Sequence, residues 1–226
     1  MVLITGANGG LGAAVTNAFL DAGAVVFGAA RRISESEFGN RPSFHAISTE
    51  IASPGDAEIL SAKVADAGGR IDALVHLVGG FSGGERVEDT SAETMGRMME
   101  INYGVAFHLL RAVLPMMRRQ GGGSVVGIGS RSAEQPSPQM AAYAASKAAL
   151  VSLMRSAAAE CRGAGVRVNV VSPGTMDTPA NRAANPGAAP TRWVRPEQVA
   201  ALVVHLTSAA ASQISGAVIP VYGEEL

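Results

Sequence analysis

Apolar residues fall in short unbroken runs along this chain. Each run is followed by a stretch whose apolar positions recur every three or four residues. Val2-Leu3-Ile4 is the first run, and a glycine-rich turn ends it. Leu11 to Ala22 then has helical spacing and is closed by Gly23, a residue suited to the left-handed position past a helix end. Val25-Val26-Phe27 is the next run, so a β–α–β unit fits within about 30 residues. The alternation continues. It predicts strands over Phe44–Ile47, Ile71–Val78, Ser124–Ile128, Val166–Val171 and Ala217–Val221. It predicts helices over Pro54–Ala67, Thr90–Met117, Met140–Cys161 and Pro196–Ser208. Runs that are apolar throughout belong to parallel strands buried on both faces. With right-handed crossovers they make a Rossmann-like, doubly wound α/β sheet of seven parallel strands, with helices on both faces. No linker rich in Pro, Ser or charge divides the chain and no repeat recurs, so residues 1–226 are expected to form a single domain. The least patterned stretch, Thr178–Thr191, holds three Pro, one Gly and five Ala. It is expected to be a loop, or a short substrate lid over about 175–195.

Composition narrows the function. With 47% hydrophobic and 16% charged residues, the chain has material for a packed core and not for disorder. Eighteen basic residues face 19 acidic ones, for a net charge of −1. That leaves no basic excess to neutralise a phosphate backbone, so nucleic acid is not an expected partner. The lone Cys161 rules out a disulfide framework and a cysteine-rich metal site, and no metal is expected. A mean hydropathy of +0.21 raises the question of membranes. No stretch reaches the roughly 18 uninterrupted apolar residues of a spanning helix, and the opening residues lack a signal-peptide pattern. A cytoplasmic protein is the expectation. The basic side is lopsided: only Lys63 and Lys147 are lysines, against 16 arginines.

Two segments carry candidate chemistry. Thr5-Gly6-Ala7-Asn8-Gly9-Gly10-Leu11-Gly12 joins the first strand to the first helix. Glycines there let the backbone approach a pyrophosphate, and the helix N-terminus offers N–H donors. The turn lacks the Lys-Ser/Thr ending of a P-loop, which disfavours nucleotide hydrolysis. The second strand runs into Ala29-Ala30-Arg31-Arg32 with no acid. Arginine suits a 2′-phosphate, so NADP(H) is preferred and NAD(H) remains open. In Tyr143-Ala144-Ala145-Ser146-Lys147, a phenol and an ammonium share one helix face. A nearby cation favours the phenolate, and such a pair can exchange a proton with a substrate oxygen.

Taken together, these segments resemble the short-chain dehydrogenase/reductase family over nearly the whole chain. Thr5 to Gly12 matches the family's T-G-x-x-x-G-x-G, and Tyr143 with Lys147 its Y-x-x-x-K. Ser130 lies thirteen residues before Tyr143, Asn102 matches the helix asparagine, and Pro173-Gly174 with Thr178 matches P-G-x-x-x-T. The resemblance implies that Ser130 polarises a carbonyl and that Tyr143 is the general acid or base. It implies that Lys147 lowers the Tyr143 pKa and holds the nicotinamide ribose, and that Asn102 anchors a water relay. Glu50 and Ile51 are implied near the adenine, and Gly79, Pro173, Gly174 and Thr178 elsewhere along the coenzyme. His76-Leu77-Val78-Gly79 stands where the family has N-N-A-G, a departure expected to alter local bracing around a satisfied strand-end histidine.

Phe81, Met176 and Trp193 are the candidate lining of the substrate pocket. The doubled glycines around Phe81 and the stretch Asp177–Arg182 with Trp193 beyond also resemble the dihydropteridine reductases. Carbonyl reductase or alcohol dehydrogenase chemistry on a small molecule is the first expectation, and a pterin reductase is the alternative. A non-catalytic NADP(H) sensor or scaffold is the second alternative. The resemblance also implies self-association through the two long helices, as a dimer or tetramer.

Overall fold

The computed structural model describes residues 1–188 and 190–224; Ala189, inside the expected lid, and Glu225 and Leu226 at the end of the expected domain lie outside the described residues. Seven strands form one sheet. They are β1 (Val2–Thr5), β2 (Val26–Ala30), β3 (Phe44–Ser48), β4 (Ala73–His76), β5 (Gly123–Ile128), β6 (Val166–Pro173) and β7 (Val218–Val221). All pairings are parallel, in the order β3-β2-β1-β4-β5-β6-β7. The expected seven-stranded, doubly wound sheet is therefore the architecture of this chain.

Alternate residues of each strand feed two cores. Leu3, Leu74, Val125 and Val168 pack under the helices α2 (Pro54–Gly68), α4 (Val105–Arg119) and α5 (Ala141–Glu160). Ile4, Val75, Val126 and Val171 pack under α1 (Gly12–Asp21) and α7 (Pro196–Thr207). Each side is a greasy layer that excludes water from both faces of the sheet, as parallel sheets require. Winding outward from β1 in both directions makes β1/β4 the point where strand order reverses. Doubly wound sheets keep their ligand crevice there, at the carboxyl ends of the strands.

Three local expectations are corrected. β2 runs on to Ala30, past Phe27, because the ladder with β1 and β3 continues through Ala29↔Thr5 and Ala30↔Ser48. Thr90–Met117 is not one α-helix. It divides into α3 (Ala92–Met99), a π-helical turn over Glu100–Gly104, and α4. The stretch expected to be an irregular lid contains a short helix, α6 (Pro179–Ala184). Thr178 caps it by accepting from the Asn181 N–H, and Pro179 sits at its first position.

Candidate active site

Strain and close contact shape the glycine-rich turn. Gly6 has φ +74°, a conformation that penalises any side chain, and its N–H donates to Ala29 O at 2.7 Å. A Cβ at Gly12 would lie 2.0 Å from Gly6 O, so the first turn of α1 rests directly on the strand exit. Gly10 faces Thr178, whose Cγ2 would be 3.0 Å from an added Cβ. The glycine turn and the P-G-x-x-x-T stretch thus meet across the crevice. Among the described residues, the amides of Gly10, Leu11 and Gly12 have no backbone acceptor. Free N–H groups at the start of a helix, with no Cβ in front of them, fit a pyrophosphate.

At the end of β2, Arg31 and Arg32 are exposed. Asn8 reaches across to this exit. Its Nδ2 donates to Arg32 O at 2.6 Å and to Glu37 Oε2 at 2.9 Å. Glu37 went unremarked in the sequence because it lies five residues beyond the strand-end arginines, and only the 3-10 turn Glu35–Phe38 brings it back. Glu50 is exposed beyond β3, whereas the Ile51 side chain is buried in the core beneath α2. Any part Ile51 plays toward a ligand is left to its backbone.

The other implied residues converge at the crevice. Tyr143 and Lys147 lie on α5, and Ser130 follows β5, near enough to Tyr143 for its side chain to favour the phenolate. Lys147 is buried and its Nζ donates to Ile128 O at 2.9 Å. Burial brings its pKa down to about 8. Burial pushes the Tyr143 phenol up, and the Ser130 hydrogen bond only partly offsets this. The expectation that Lys147 lowers the Tyr143 pKa is thus not met in this arrangement. The lysine is committed to the Ile128 carbonyl, and desolvation dominates the phenol.

Asn102 is fully buried in the π-helical turn. Its Nδ2 donates to Gly80 O and to Ser146 Oγ, each at 3.0 Å, and its Oδ1 accepts from Gly80 N at 3.0 Å. The amide therefore ties the exit of β4 to α5. A Cβ at Gly79 would lie 2.8 Å from Asn102 Oδ1 and 3.2 Å from Lys147 Nζ, so that glycine leaves room for both. The polar link through Ser146, whose hydroxyl donates to Tyr143 O at 2.7 Å, was not read from the sequence. A small residue inside an Ala-rich helix carried no signal of it.

His76 closes the floor. Its Nδ1 lies 2.9 Å from Thr5 Oγ1, and its Nε2 is buried with no hydrogen-bond partner. The histidine expected to be satisfied is therefore satisfied at one nitrogen only. Burial first, and the Lys147 charge second, push its pKa down to about 3. Imidazole is the neutral form here.

Among the pocket candidates, Phe81 is exposed and meets Tyr143 edge to face at 5.0 Å between ring centroids. Pro173 ends β6, and Gly174 N donates to Val221 O at 2.9 Å. The stretch expected to be a lid is tied at its base, where Met176 bridges Val194 in parallel and Asp177 N donates to Val194 O at 2.8 Å. Met176 is half-buried and packs against the core beneath α1 and α7. Trp193 is half-buried beside that tie. An Asp177–Arg182 ion pair, bonded at 2.5 and 2.8 Å, braces α6.

The model of the family described as short chain dehydrogenase matches residues 1–189. The 2,3-dihydro-2,3-dihydroxybenzoate dehydrogenase of Escherichia coli (strain K12) is 37% identical over 185 residues, covering 80% of this chain and 71% of that protein. The rhamnolipids biosynthesis 3-oxoacyl-(acyl-carrier-protein) reductase of Pseudomonas aeruginosa is 31% identical over 243 residues, covering 99% of this chain and 94% of that one. Among solved structures, the 3-ketoacyl-(acyl-carrier-protein) reductase from Brucella melitensis complexed with NADH superposes with a TM-score of 0.88 at 25% identity. That match covers 100% of this chain and 98% of the other.

Proposed function

The chain belongs to the short-chain dehydrogenase family and is an oxidoreductase, and we propose that it is a carbonyl reductase or alcohol dehydrogenase using a nicotinamide coenzyme. The observation that carries this reading is the approach of Ser130 to Tyr143, on the helix that also carries the buried Lys147. The free amides of Gly10, Leu11 and Gly12 would hold the pyrophosphate, and Thr178 would close over it. The NADH of the Brucella reductase supports a nicotinamide dinucleotide at this turn. NADP(H) is the proposed coenzyme and NAD(H) the alternative, because Arg31 and Arg32 stand exposed at the strand end.

When bound, the nicotinamide supplies or accepts the hydride. The remaining work falls to side chains of this chain. Ser130 donates a hydrogen bond to the substrate oxygen and stabilises charge developing there. Tyr143 delivers its phenolic proton to that oxygen in reduction and takes it back in oxidation. Its raised pKa keeps the phenol protonated, the form that reduction needs. Lys147 has donors beyond the one given to Ile128 O and would hold the nicotinamide ribose with them. Both Asn102 amide protons are already given, to Gly80 O and Ser146 Oγ, so a water-anchoring role would fall to an oxygen of this residue. Phe81 edges the substrate site, Trp193 stands at the mouth of a lid over about 175–195, and the substrate is a small molecule.

The presence of Ser130 close to Tyr143 favours carbonyl chemistry over the pterin alternative. Self-association through α4 and α5 is part of the reading. Phe107, exposed on α4 and stacked on Tyr103 at 6.3 Å, offers apolar surface for it. Among the described residues, no helix is long and apolar enough to cross a membrane.

Tyr143→Phe tests the assignment. Against a panel of ketones, sugars, steroids and a quinonoid pterin, turnover is expected to fall about 100- to 10,000-fold while coenzyme binding is unchanged. A variant with wild-type turnover would remove Tyr143 from the chemistry. A wild type that binds coenzyme but converts nothing would point to the sensor alternative.

A further inference from the structure

The dinucleotide site of a doubly wound sheet is normally read at its ribose by an acid about 20 residues past the glycine turn. In this chain that position is held by arginines. The fold nevertheless carries a carboxylate back to the same corner. Past Arg32, the chain turns through Ser34 into the 3-10 turn Glu35–Phe38. Phe38 anchors the turn in the core against Phe44, at 4.5 Å between ring centroids, and Gly39 ends it with φ +70°.

Glu37 is thereby fixed at both oxygens. Oε1 accepts from Ser34 N at 3.0 Å, and Oε2 accepts from Asn8 Nδ2 at 2.9 Å. Asn8 is the third residue after Thr5 in the glycine turn, and the same nitrogen donates to Arg32 O at 2.6 Å. These partners are neutral. Among the described residues, Glu37 forms no ion pair, and neither do Arg31 and Arg32. A held, uncompensated negative charge and two exposed positive ones therefore share the exit of β2.

We infer that Glu37 is a coenzyme-selecting residue, whose carboxylate accepts from the ribose 2′-hydroxyl of NAD(H) and repels the 2′-phosphate of NADP(H), in opposition to Arg31 and Arg32. This rests on the reading that the glycine turn holds a nicotinamide dinucleotide. A hydroxyl can join or replace Asn8 as a donor to Oε2. A phosphate monoester carries nearly two negative charges and no donor, and meets only repulsion there. The choice of coenzyme becomes the difference between two opposed local charges. A latch that merely fastened the glycine turn to β2 would affect both coenzymes alike.

The test is a titration of the wild type, Glu37→Gln and Glu37→Lys with NADH and with NADPH, followed by nicotinamide fluorescence at low salt. Glu37→Gln removes the charge and keeps an acceptor for Asn8 or Ser34. It is expected to shift the ratio of NADPH to NADH affinity about five- to tenfold toward NADPH. Glu37→Lys is expected to shift the ratio further in the same direction. Ratios within about twofold of wild type in both variants, or equal weakening of both coenzymes, overturn the inference and leave the proposed activity standing. A wild type that binds neither coenzyme overturns both. Loss of the Tyr143-dependent turnover with the ratio shift intact overturns only the assignment of the reaction.

Discussion

Lys147 is one of two lysines in a chain with 16 arginines, and its surroundings explain why an arginine does not stand there. The side chain is buried, its ammonium sits on the Ile128 carbonyl, and even a Cβ added at Gly79 would lie 3.2 Å from it. A planar guanidinium needs more volume and a wider set of acceptors than this space has. Lys147→Arg is expected to lose most activity and to weaken coenzyme binding; near-wild-type turnover would remove the lysine from the mechanism. Lys63, by contrast, is exposed on α2. Residues such as Tyr143 and Lys147 were legible in the sequence because one helix face fixes their separation at four. Glu37 was not. It belongs to the site only because a buried Phe38 folds a loop back, and no local spacing encodes that return. Ile51 was legible as a neighbour of the site but not in orientation, because its apolar side chain gains more from the core than from contact with water.

Individual elements differ in how openly the sequence declares them. The strands are short apolar runs with glycine at their ends, and the pattern found all seven. The interruption of the long helix is different. Nothing between Met99 and Val105 breaks the helical pattern, yet the backbone widens to a π turn at Glu100–Gly104. What holds it is the buried Asn102 amide, paired with both backbone groups of Gly80 across the β4 exit. That is a tertiary bond that outweighs local preference. The glycine turn lies at the other extreme, where sequence and geometry agree closely. At Gly12 the obstacle to a side chain is the main chain itself, which cannot rotate away. Gly12→Ala is therefore expected to lower stability by about 1–3 kcal/mol and to weaken coenzyme binding at least tenfold. Urea unfolding and coenzyme titration check the two effects, and an alanine variant that matches wild type in both would contradict the packing described.

For the molecule as a whole, the buried ionisable groups give stability a pH dependence of predictable sign. His76 titrates at about 3 in the fold and at 6.5 when exposed. Between these values the unfolded chain binds a proton that the native chain refuses, so stability is lost as pH falls from 6.5 toward 3. Going from pH 7 to pH 5, this one group is expected to cost about 2 kcal/mol in urea unfolding. His76→Asn should flatten that slope, and an unchanged slope would place the acid sensitivity elsewhere. Lys147, at about 8 in the fold against 10.5 outside it, acts at the other end, so its contribution to stability grows as pH rises across that interval. The sheet order has a consequence for how the chain is made. β1 is a central strand, and one of its two neighbours, β4, pairs Thr5 with His76, 71 residues later. At about 5–20 residues per second on the ribosome, β1 waits roughly 4–14 s for that edge to be covered. The first strand synthesised is thus enclosed only after β2, its successor in the chain, has been covered by β3, and this step of assembly is paced by translation through β4.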